Sequence, residues 1–242
     1  METKRLWAIV AAGGKGNRFG AQMPKQYVSV AGVTLLDQVI KTFVDSCIFS
    51  KIAVPIPQDD DEFHRLNSAS YPIVYTTLGG KERSDSVFFA LESLRDQGAK
   101  DSDWVFVHDA ARPLITKNEL WSLVEVIKVE SCPGVVMGIP CVDTLKLAHL
   151  DSNSGKSDCV EKTIDRTGIW HAMTPQVFRL GDLLHALYLV RENLQLINDD
   201  SQAIEGLGIK PWLLRGRRSN FKLTYPEDLE LIEKILKLQM GL

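Results

Sequence analysis

A glycine-rich, cationic segment is the first part of the chain whose residue types could carry chemistry. It reads AIVAAGGKGNRFGAQMPKQY over residues 8–27. Glycine lets backbone N–H groups approach an anion closely, and a following helix adds its positive end, so phosphate is the expected ligand. The spacing is not GxxxxGK[ST], and it is not GxGxxG because Phe19 stands where the third glycine would be. ATPase and dinucleotide-binding functions are therefore disfavoured, and a tight loop without a ligand is the alternative.

Two permanent cations, Arg18 and Lys25, accompany these glycines. Beside a loop of free N–H donors they could neutralise a triphosphate, and also the charge that develops when its α-phosphorus is attacked. We therefore take both as candidate catalytic residues. The alternative is that they are two solvated surface charges.

The segment VFVHDAARP ends an apolar strand in His108 and Asp109. A carboxylate at the carboxyl edge of a sheet can hold Mg²⁺ between substrate phosphates, which makes Asp109 the metal candidate. A turn or helix cap is the alternative for Asp109. Arg112 could pair with Asp109 or with phosphate, and His108 is expected to pack in the core or to support a neighbour.

The segment LGGKERSDSV places two glycines at a turn and Ser84 at the entry of a helix, where it is the expected N-cap. Ser86 and the backbone of Gly80 could reach a base or ribose. Arg83 either binds phosphate or braces the loop.

Two later segments add further polar groups. DRTGIWHAMTPQVF supplies Asp165, Arg166, Thr174 and Gln176 around a hydrophobic kink, and NFKLTYPEDL places Lys222 on a predicted short strand before the last helix. Burying a lysine there costs free energy unless the lysine meets an anion, whereas an exposed lysine would not indicate a function.

The elements that must position these residues alternate between strand and helix patterns. Strands are predicted at 6–10, 51–56, 73–77, 104–108, 134–139 and 212–214, with amphipathic helices between them, a strong helix over 180–190 and a closing helix opened by Pro226. The alternation predicts a mostly parallel, twisted sheet with helices on both faces. Ligands bind beyond the carboxyl ends of such strands, so the loops after Val10, Thr77, Val107 and Ile139 should line one cleft.

Residues 141–163 change the pattern to two alternating segments around a polar tip, which predicts a long β-hairpin arm. A two-stranded hairpin is marginal alone in water, so the arm should lie on something, and a second copy of the chain is a natural partner.

The composition narrows the class of protein. The chain has 242 residues, 45% hydrophobic and 24% charged, which fits one large domain. The net charge is −3, and lysine and arginine are spread along the chain rather than clustered. The sequence therefore lacks the basic patch that is typical of nucleic-acid-binding proteins. The four cysteines do not have the spacing of metal ligands, and no apolar stretch approaches the ~20 residues of a membrane helix. No secretory segment precedes the first strand. These features predict a cytoplasmic protein without membrane contact.

Six segments, AAGGKGNRFG…PKQY, LGGKERSDSV, VHDAARP, DTLK, DRTGIWHAMTPQ and NFKLTYPEDL, occur in an order that resembles the 2-C-methyl-D-erythritol 4-phosphate cytidylyltransferases of the non-mevalonate isoprenoid pathway. The resemblance spans nearly the whole chain. It implies an α/β Rossmann-like nucleotidyltransferase fold with one domain over 1–242, the substrates CTP and a polyol phosphate, Mg²⁺, and a homodimer through the 141–163 arm.

The resemblance also implies roles for individual residues. Arg18 and Lys25 match transition-state stabilisers, Asp109 the metal-binding aspartate, and Arg166 and Lys222 the groups that position the polyol phosphate. The nucleotide-binding set is Ala11, Ala12, Gly13, Gly14, Gly80, Ser86 and Asp109, and the substrate-binding set is Asp109, Arg112, Thr144, Arg166, Thr174 and Lys222. Asn198 departs from the pattern, because the family commonly has threonine before its acidic pair.

The reaction so implied needs no general base, because a phosphate monoester with its second pKa near ~6 is already a dianionic nucleophile at neutral pH. Two other functions stay open. A ribitol 5-phosphate cytidylyltransferase would share the fold and the CTP loops, although WHAMTPQ and HDAARP favour the erythritol enzyme. A catalytically silent nucleotide-binding protein is disfavoured, because Arg18, Lys25, Asp109, Arg166 and Lys222 are all present.

Overall fold

The structure is a computed structural model that describes residues 5–13, 24–30, 32–149 and 159–240. Gly14, Arg18 and the predicted hairpin tip lie outside the described residues. The strands are β1 Leu6–Ala11, β2 Ser29–Val30, β3 Val33–Thr34, β4 Ile52–Ile56, β5 Val74–Leu78, β6 Trp104–Asp109, β7 Val135–Pro140, β8 Leu145–His149, β9 Cys159–Ile164, β10 Trp170–Arg179 and β11 Trp212–Arg215. The helices are α1 Leu35–Asp45, α2 Arg83–Asp96, α3 Lys117–Ile127, α4 Leu180–Glu192, α5 Asp200–Gly206 and α6 Asp228–Met240.

A seven-stranded sheet in the order β11-β7-β10-β6-β1-β4-β5 forms the centre of the described chain. All of its neighbouring strands pair in parallel except β10, which runs antiparallel to both β6 and β7. The predicted mostly parallel sheet is therefore confirmed, and its carboxyl edge is where β1, β5 and β6 all end.

Helices cover both faces of this sheet, as the alternation of strand and helix patterns predicted. On β1, Ala8 and Val10 pack in the cluster that contains the apolar faces of α1 and α3. Trp7 and Ile9 pack on the other side with α2 and α4. Because successive strand residues point to opposite faces, a continuous apolar strand such as β1 needs cover on both sides.

Strand β10 is the main element that the sequence patterns did not predict. The sequence pattern predicts a hydrophobic kink here rather than a strand. In the structure Val177 pairs with Phe106 of β6, and the register against β7 shifts between Ala172 and Gln176. The irregularity therefore sits inside a strand, and it projects Thr174 and its neighbours at the carboxyl edge of the parallel strands.

Two local predictions were wrong. The N-cap of α2 is Glu82 rather than Ser84, because the Asp85 carboxylate accepts a hydrogen bond from the Glu82 backbone N–H at 3.2 Å and closes the first turn there. Lys222 lies in an irregular segment rather than on a strand. The neighbouring Leu223 N–H donates to the Ala111 oxygen at 2.8 Å, which holds this segment against the loop after β6.

The predicted arm contains an antiparallel pair, β8 with β9, that forms a separate two-stranded sheet. Most residues of this pair are exposed, including the large apolar side chains of Leu147 and Val160. Its role in dimerisation and the boundaries of the single domain stay predictions. None of the described helices combines the length and apolar character that a bilayer crossing requires.

Candidate active site

The carboxylate of Asp109 is the centre of a charged cluster at the carboxyl end of β6. Its Oδ1 accepts a hydrogen bond from Arg83 Nε at 2.8 Å, and its Oδ2 accepts one from Lys222 Nζ at 2.6 Å. The Asp109 side chain is only 9% exposed, whereas that of Lys222 is 40% exposed. An acidic group at a strand end is thus held between two partly exposed cations, of which Lys222 is the more accessible.

The neighbouring cations control the charge of Asp109. Burial alone would raise the pKa of this carboxyl, but Arg83 and then Lys222 outweigh burial and hold the pKa well below its usual range. Asp109 is therefore a permanent anion at neutral pH. Its predicted alternative role as a turn cap accounts for none of these side-chain contacts.

Asp109 fits Mg²⁺ as part of a site that water and substrate phosphates complete. The described residues contain no group of three or more His, Cys, Asp or Glu side chains arranged to hold a metal ion. Mg²⁺ commonly takes one or two carboxylates and completes its octahedron with water and substrate phosphates. Asp109 matches such a partial site, because among the described residues each carboxylate oxygen accepts one side-chain hydrogen bond and retains a lone pair.

Arg83 connects Asp109 to a second carboxylate. The residue opens α2, and while its Nε contacts Asp109, its Nη2 donates to Asp200 Oδ2 at 2.8 Å. Asp200 opens α5 and has no exposed surface. Burial by itself would lower the pKa of Arg83, but Asp200 and Asp109 raise it above its usual value. Of the two functions considered for Arg83, bracing is the one these contacts describe.

Thr174, in the irregular part of β10, is fixed by two hydrogen bonds to the end of β6. Its hydroxyl oxygen accepts from the Asp109 backbone N–H at 3.1 Å and lies 3.0 Å from His108 Nδ1. His108 Nε2 lies 3.1 Å from the Arg112 carbonyl oxygen. Burial lowers the pKa of His108 to about 4, so the ring is neutral at pH 7.

The protons of this network follow from the chemistry of the partners. The Arg112 carbonyl can only accept, so the neutral His108 carries its proton on Nε2 and accepts at Nδ1. The Thr174 hydroxyl therefore donates to His108. Arg112 in turn donates through Nη1 to the backbone carbonyl oxygen of Asn220 at 2.9 Å, and Asn220 Nδ2 donates to the backbone carbonyl oxygen of Thr174 at 2.9 Å. His108 thus supports two of the predicted site residues, Thr174 and Arg112.

The loops after β1 and β5 meet at the same edge of the sheet. The Gly80 N–H donates to Ser86 Oγ at 2.9 Å, and a Cβ added to Gly13 would lie 3.1 Å from that same oxygen. Gln26 Nε2 donates to the Ala12 oxygen at 2.7 Å and fixes the described start of the glycine-rich segment. The structure therefore brings Gly13, Gly80 and Ser86 together, as expected for residues that share one ligand.

Lys25 approaches this edge from the other end of the glycine-rich segment. Its Nζ donates to the carbonyl oxygen of Leu223 at 3.2 Å, one residue from Lys222. The ammonium group of Lys25 is thus held against the backbone segment that carries Lys222.

A cavity of about 220 Å³ opens beside the charged cluster. Its lining includes the predicted residues Asp109, Arg112, Thr174 and Lys222, together with Arg83 and Asn198. Of the loops predicted to line one cleft, those after β5 and β6 lead to cavity residues, whereas the described start of the loop after β1 approaches Ser86 but supplies none of the lining. The loop after β7, residues 141–144, contributes none of the cavity lining because it leads outward into the arm.

Of the predicted substrate-binding residues, Thr144 and Arg166 are the two that do not line the cavity. The described nucleotide-binding residues Ala11, Ala12, Gly13, Gly80 and Ser86, and also Lys25, lie outside its lining as well. Thr144 and Arg166 are exposed at the base of the arm, where Arg166 Nη1 donates to the Val142 carbonyl oxygen. Asp200 and Asn220 are the residues that sequence reasoning missed. The acidic pair after Asn198 was a visible signal for Asp200, whereas no local signal marks Asn220.

Similarity to known proteins agrees with this geometry. A family model described as 2-C-methyl-D-erythritol 4-phosphate cytidylyltransferase matches residues 6–238. The protein of that name from Pseudomonas putida is 42% identical over 229 residues, covering 95% of this chain and 94% of the relative. The one from Paraburkholderia phytofirmans is 40% identical over 235 residues, covering 97% of each.

Solved structures show the same relationship. A crystal structure of 4-diphosphocytidyl-2C-methyl-D-erythritol synthase superposes with a TM-score of 0.81 at 30% identity, covering 97% of this chain and 100% of that one. The Francisella tularensis 2-C-methyl-D-erythritol 4-phosphate cytidylyltransferase gives a TM-score of 0.79 at 32% identity, with 96% and 99% covered. With fold, cavity and near-complete sequence matches in agreement, this chain belongs to the 2-C-methyl-D-erythritol 4-phosphate cytidylyltransferase family.

Proposed function

We propose that this chain transfers CMP from CTP to 2-C-methyl-D-erythritol 4-phosphate, giving 4-diphosphocytidyl-2-C-methyl-D-erythritol and pyrophosphate in isoprenoid precursor biosynthesis. The observation that carries the proposal is the cluster of Asp109, Arg83, Arg112 and Lys222 at one cavity, in a chain of this family. The cluster combines a permanent anion with accessible cations, which is the charge pattern that a metal–triphosphate and a second phosphate require together.

In this reaction a phosphate oxygen of the polyol phosphate attacks the α-phosphorus of CTP, and the bond to pyrophosphate breaks. Lys222 and Arg112, which line the cavity, attract the attacking phosphate. Lys25 and Arg18 offset the charge that develops at the α-phosphorus. The loops that carry Gly13, Gly80 and Ser86 hold cytosine and ribose. Catalysis consists of positioning and electrostatic stabilisation, because the nucleophile is already ionised.

We propose Mg²⁺ as the cofactor, held by Asp109 together with substrate phosphates. When bound, the metal would neutralise charge on the triphosphate and orient the α-phosphate. Asp109 supports this assignment by being anionic at all physiological pH values and by lying at the cavity.

We further propose that the protein acts as a homodimer through the arm of residues 141–163, with Thr144 and Arg166 serving the cavity of the partner. The exposed position of both residues at the base of β8 and β9 supports this arrangement. The cytoplasmic location expected from the sequence stays a prediction.

A pyrophosphate-release assay tests the function. Purified protein with CTP and Mg²⁺ is offered 2-C-methyl-D-erythritol 4-phosphate or ribitol 5-phosphate, and we expect turnover with the first. Turnover only with ribitol 5-phosphate would support the neighbouring cytidylyltransferase activity. CTP binding without turnover of either substrate would support a silent nucleotide-binding protein.

A further inference from the structure

Asp200 is a fully buried carboxylate that the proposed reaction does not use. Its Oδ2 accepts from Arg83, whereas its Oδ1 has no hydrogen-bond partner among the described residues. Burial raises the pKa of Asp200 even though Arg83 opposes that effect. A buried ion pair is weak evidence for stability, because the cost of removing the charges from water can exceed their attraction. A role other than stability therefore has to be considered for Asp200.

Arg83 gives Asp200 a physical connection to the cavity. The guanidinium is planar and its donors keep fixed relative directions, so fixing one donor orients the others. Here Nη2 is fixed on Asp200 and Nε meets Asp109, both at 2.8 Å. The position of Asp200 thus determines where Arg83 contacts the carboxylate at the cavity.

The two cations on Asp109 differ in what else they contact. Lys222 is more exposed, and none of its described hydrogen bonds joins its ammonium group to a second carboxylate, so an anionic substrate can draw it away from Asp109. Arg83 is 28% exposed and shares its charge between two carboxylates. Without Asp200, the guanidinium would be a partly unneutralised cation beside a cavity built for phosphates.

We infer that Asp200 is a positioning residue for cytidylyl transfer, which holds Arg83 against Asp109 and withholds this cation from the substrate phosphates. Asp200 is not itself among the residues that line the cavity, so it acts through Arg83. The inference rests on the proposed function, because cytidylyl transfer is the reaction whose rate it affects. Its consequence is that Asp109 keeps one orientation while Lys222 exchanges between Asp109 and substrate.

The substitution Asp200→Asn removes the charge and keeps the shape. We expect kcat to fall about tenfold while KM for CTP does not rise, because the released Arg83 adds attraction for the triphosphate in the ground state. Asp200→Glu keeps the charge and should restore part of the loss in kcat. A purely structural role would reduce the folded fraction and leave kcat per folded molecule unchanged, which would overturn the inference.

A double-mutant cycle tests whether Asp200 acts through Arg83. We expect Arg83→Met and the double variant Arg83→Met with Asp200→Asn to have the same kcat, because the second substitution has nothing left to position. Losses that multiply would overturn the inference. Arg83→Lys keeps the charge as a single point that cannot span both carboxylates, so its kcat should match that of Arg83→Met. This variant keeps the test decisive if Asp200→Asn does not fold.

Asp103→Asn is the matched control. Asp103 is also buried and accepts from Trp7 Nε1 at 3.0 Å, but it precedes β6 at the opposite end of the sheet from the cavity. Its variant should lose stability and keep kcat.

A parent protein that releases no pyrophosphate would overturn the proposed function. An active parent whose Asp200→Asn variant keeps the parental kcat would overturn only the inference.

Discussion

At the scale of single residues, the cations of the site differ in how much of their charge is already neutralised. Arg83 is bound to Asp109 and Asp200, whereas Lys222 has a single described ion pair and a more exposed side chain. A cation that already shares its charge with two carboxylates has little electrostatic attraction left for phosphate. Of the described cations that line the cavity, Lys222 and Arg112 are therefore the ones that can respond to substrate.

The first prediction concerns Lys25, whose Nζ donates to the backbone beside Lys222. Lys25→Ala should lower kcat by ~10² or more with a smaller change in CTP affinity, because the charge it offsets develops mainly in the transition state. Arg18→Ala should behave in the same way. Steady-state kinetics and calorimetric CTP binding provide the two measurements. The control is Lys234→Ala, which removes an exposed lysine of α6 paired with Glu230. An unchanged kcat in the Lys25 and Arg18 variants would contradict the assignment.

The second prediction concerns Asp109. Asp109→Asn keeps two hydrogen-bonding atoms but removes the negative charge that Arg83 and Lys222 share. We expect the Mg²⁺ concentration for half-maximal activity to rise, because a neutral amide is a much weaker ligand for this hard cation. Magnesium titrations of parent and variant provide the measurement, and circular dichroism checks that the variant is folded. If the variant kept the parental Mg²⁺ dependence, the metal role of Asp109 would be refuted.

At the scale of elements, the site depends on how closely three loops approach one another beyond the parallel strands. A Cβ added to Gly79 would lie 3.0 Å from the Ile56 carbonyl oxygen, and one added to Gly80 would lie 2.1 Å from Asp85 Cβ. The Gly80 distance leaves no room for a Cβ, whereas the Gly79 distance makes any Cβ a very tight contact. Packing against the start of α2 therefore requires glycine at position 80, and this packing holds the Gly80 N–H toward Ser86.

The third prediction follows from that approach. Gly80→Ala should raise KM for CTP about tenfold or more and lower the free energy of unfolding by ~1–3 kcal/mol, because the added methyl group displaces the first turn of α2. Kinetics and denaturant titrations provide the measurements. Gly206→Ala is the matched control, since a Cβ there would meet nothing within 4 Å. That variant should keep its KM, and an equal KM for the Gly80 variant would show that the loop does not contact the nucleotide.

At the scale of the whole molecule, the described chain leaves the proposed site incomplete. Thr144 and Arg166 lie at the base of the arm, and Arg166 is satisfied only by a neighbouring backbone carbonyl within the described hydrogen bonds. Leu147 on β8 and Val160 on β9 have large, exposed apolar side chains, and the proposed homodimer would cover them. A second copy of this chain would provide the cover and complete both cavities at once.

The fourth prediction tests this arrangement. Lys25→Ala and Arg166→Ala proteins, each nearly inactive, should regain activity when they are unfolded together and refolded. Random mixing makes about half of the dimers hybrid, and each hybrid has one site with both defects and one with neither, so about a quarter of all sites should be intact. The measurement is activity alongside a count of hybrid dimers by mass spectrometry. Hybrid dimers without recovered activity would show that Arg166 serves its own chain.

Elements whose signals are local could be predicted from the amino-acid sequence. The apolar runs of β1, β4, β5, β6, β7 and β11 predicted strands within about one residue of their observed ends, because period and apolar content are properties of neighbouring residues. The same locality predicted Asp109, since a carboxylate directly after a buried parallel strand must emerge at the carboxyl edge. Gly80 and Ser86 were predictable in the same way, from a short glycine turn before a helix.

The way in which distant segments combine could not be predicted from local patterns and is seen only in the folded chain. Strand β10 enters the sheet between β6 and β7 through pairing that its interrupted pattern does not signal, and this insertion brings Thr174 against Asp109, 65 residues away. Arg83 likewise meets Asp200 across 117 residues, which converts a possible phosphate ligand into a brace. Such contacts depend on sheet order and register, which are set by the packing of the whole chain. These contacts therefore cannot be predicted from a short segment of the sequence.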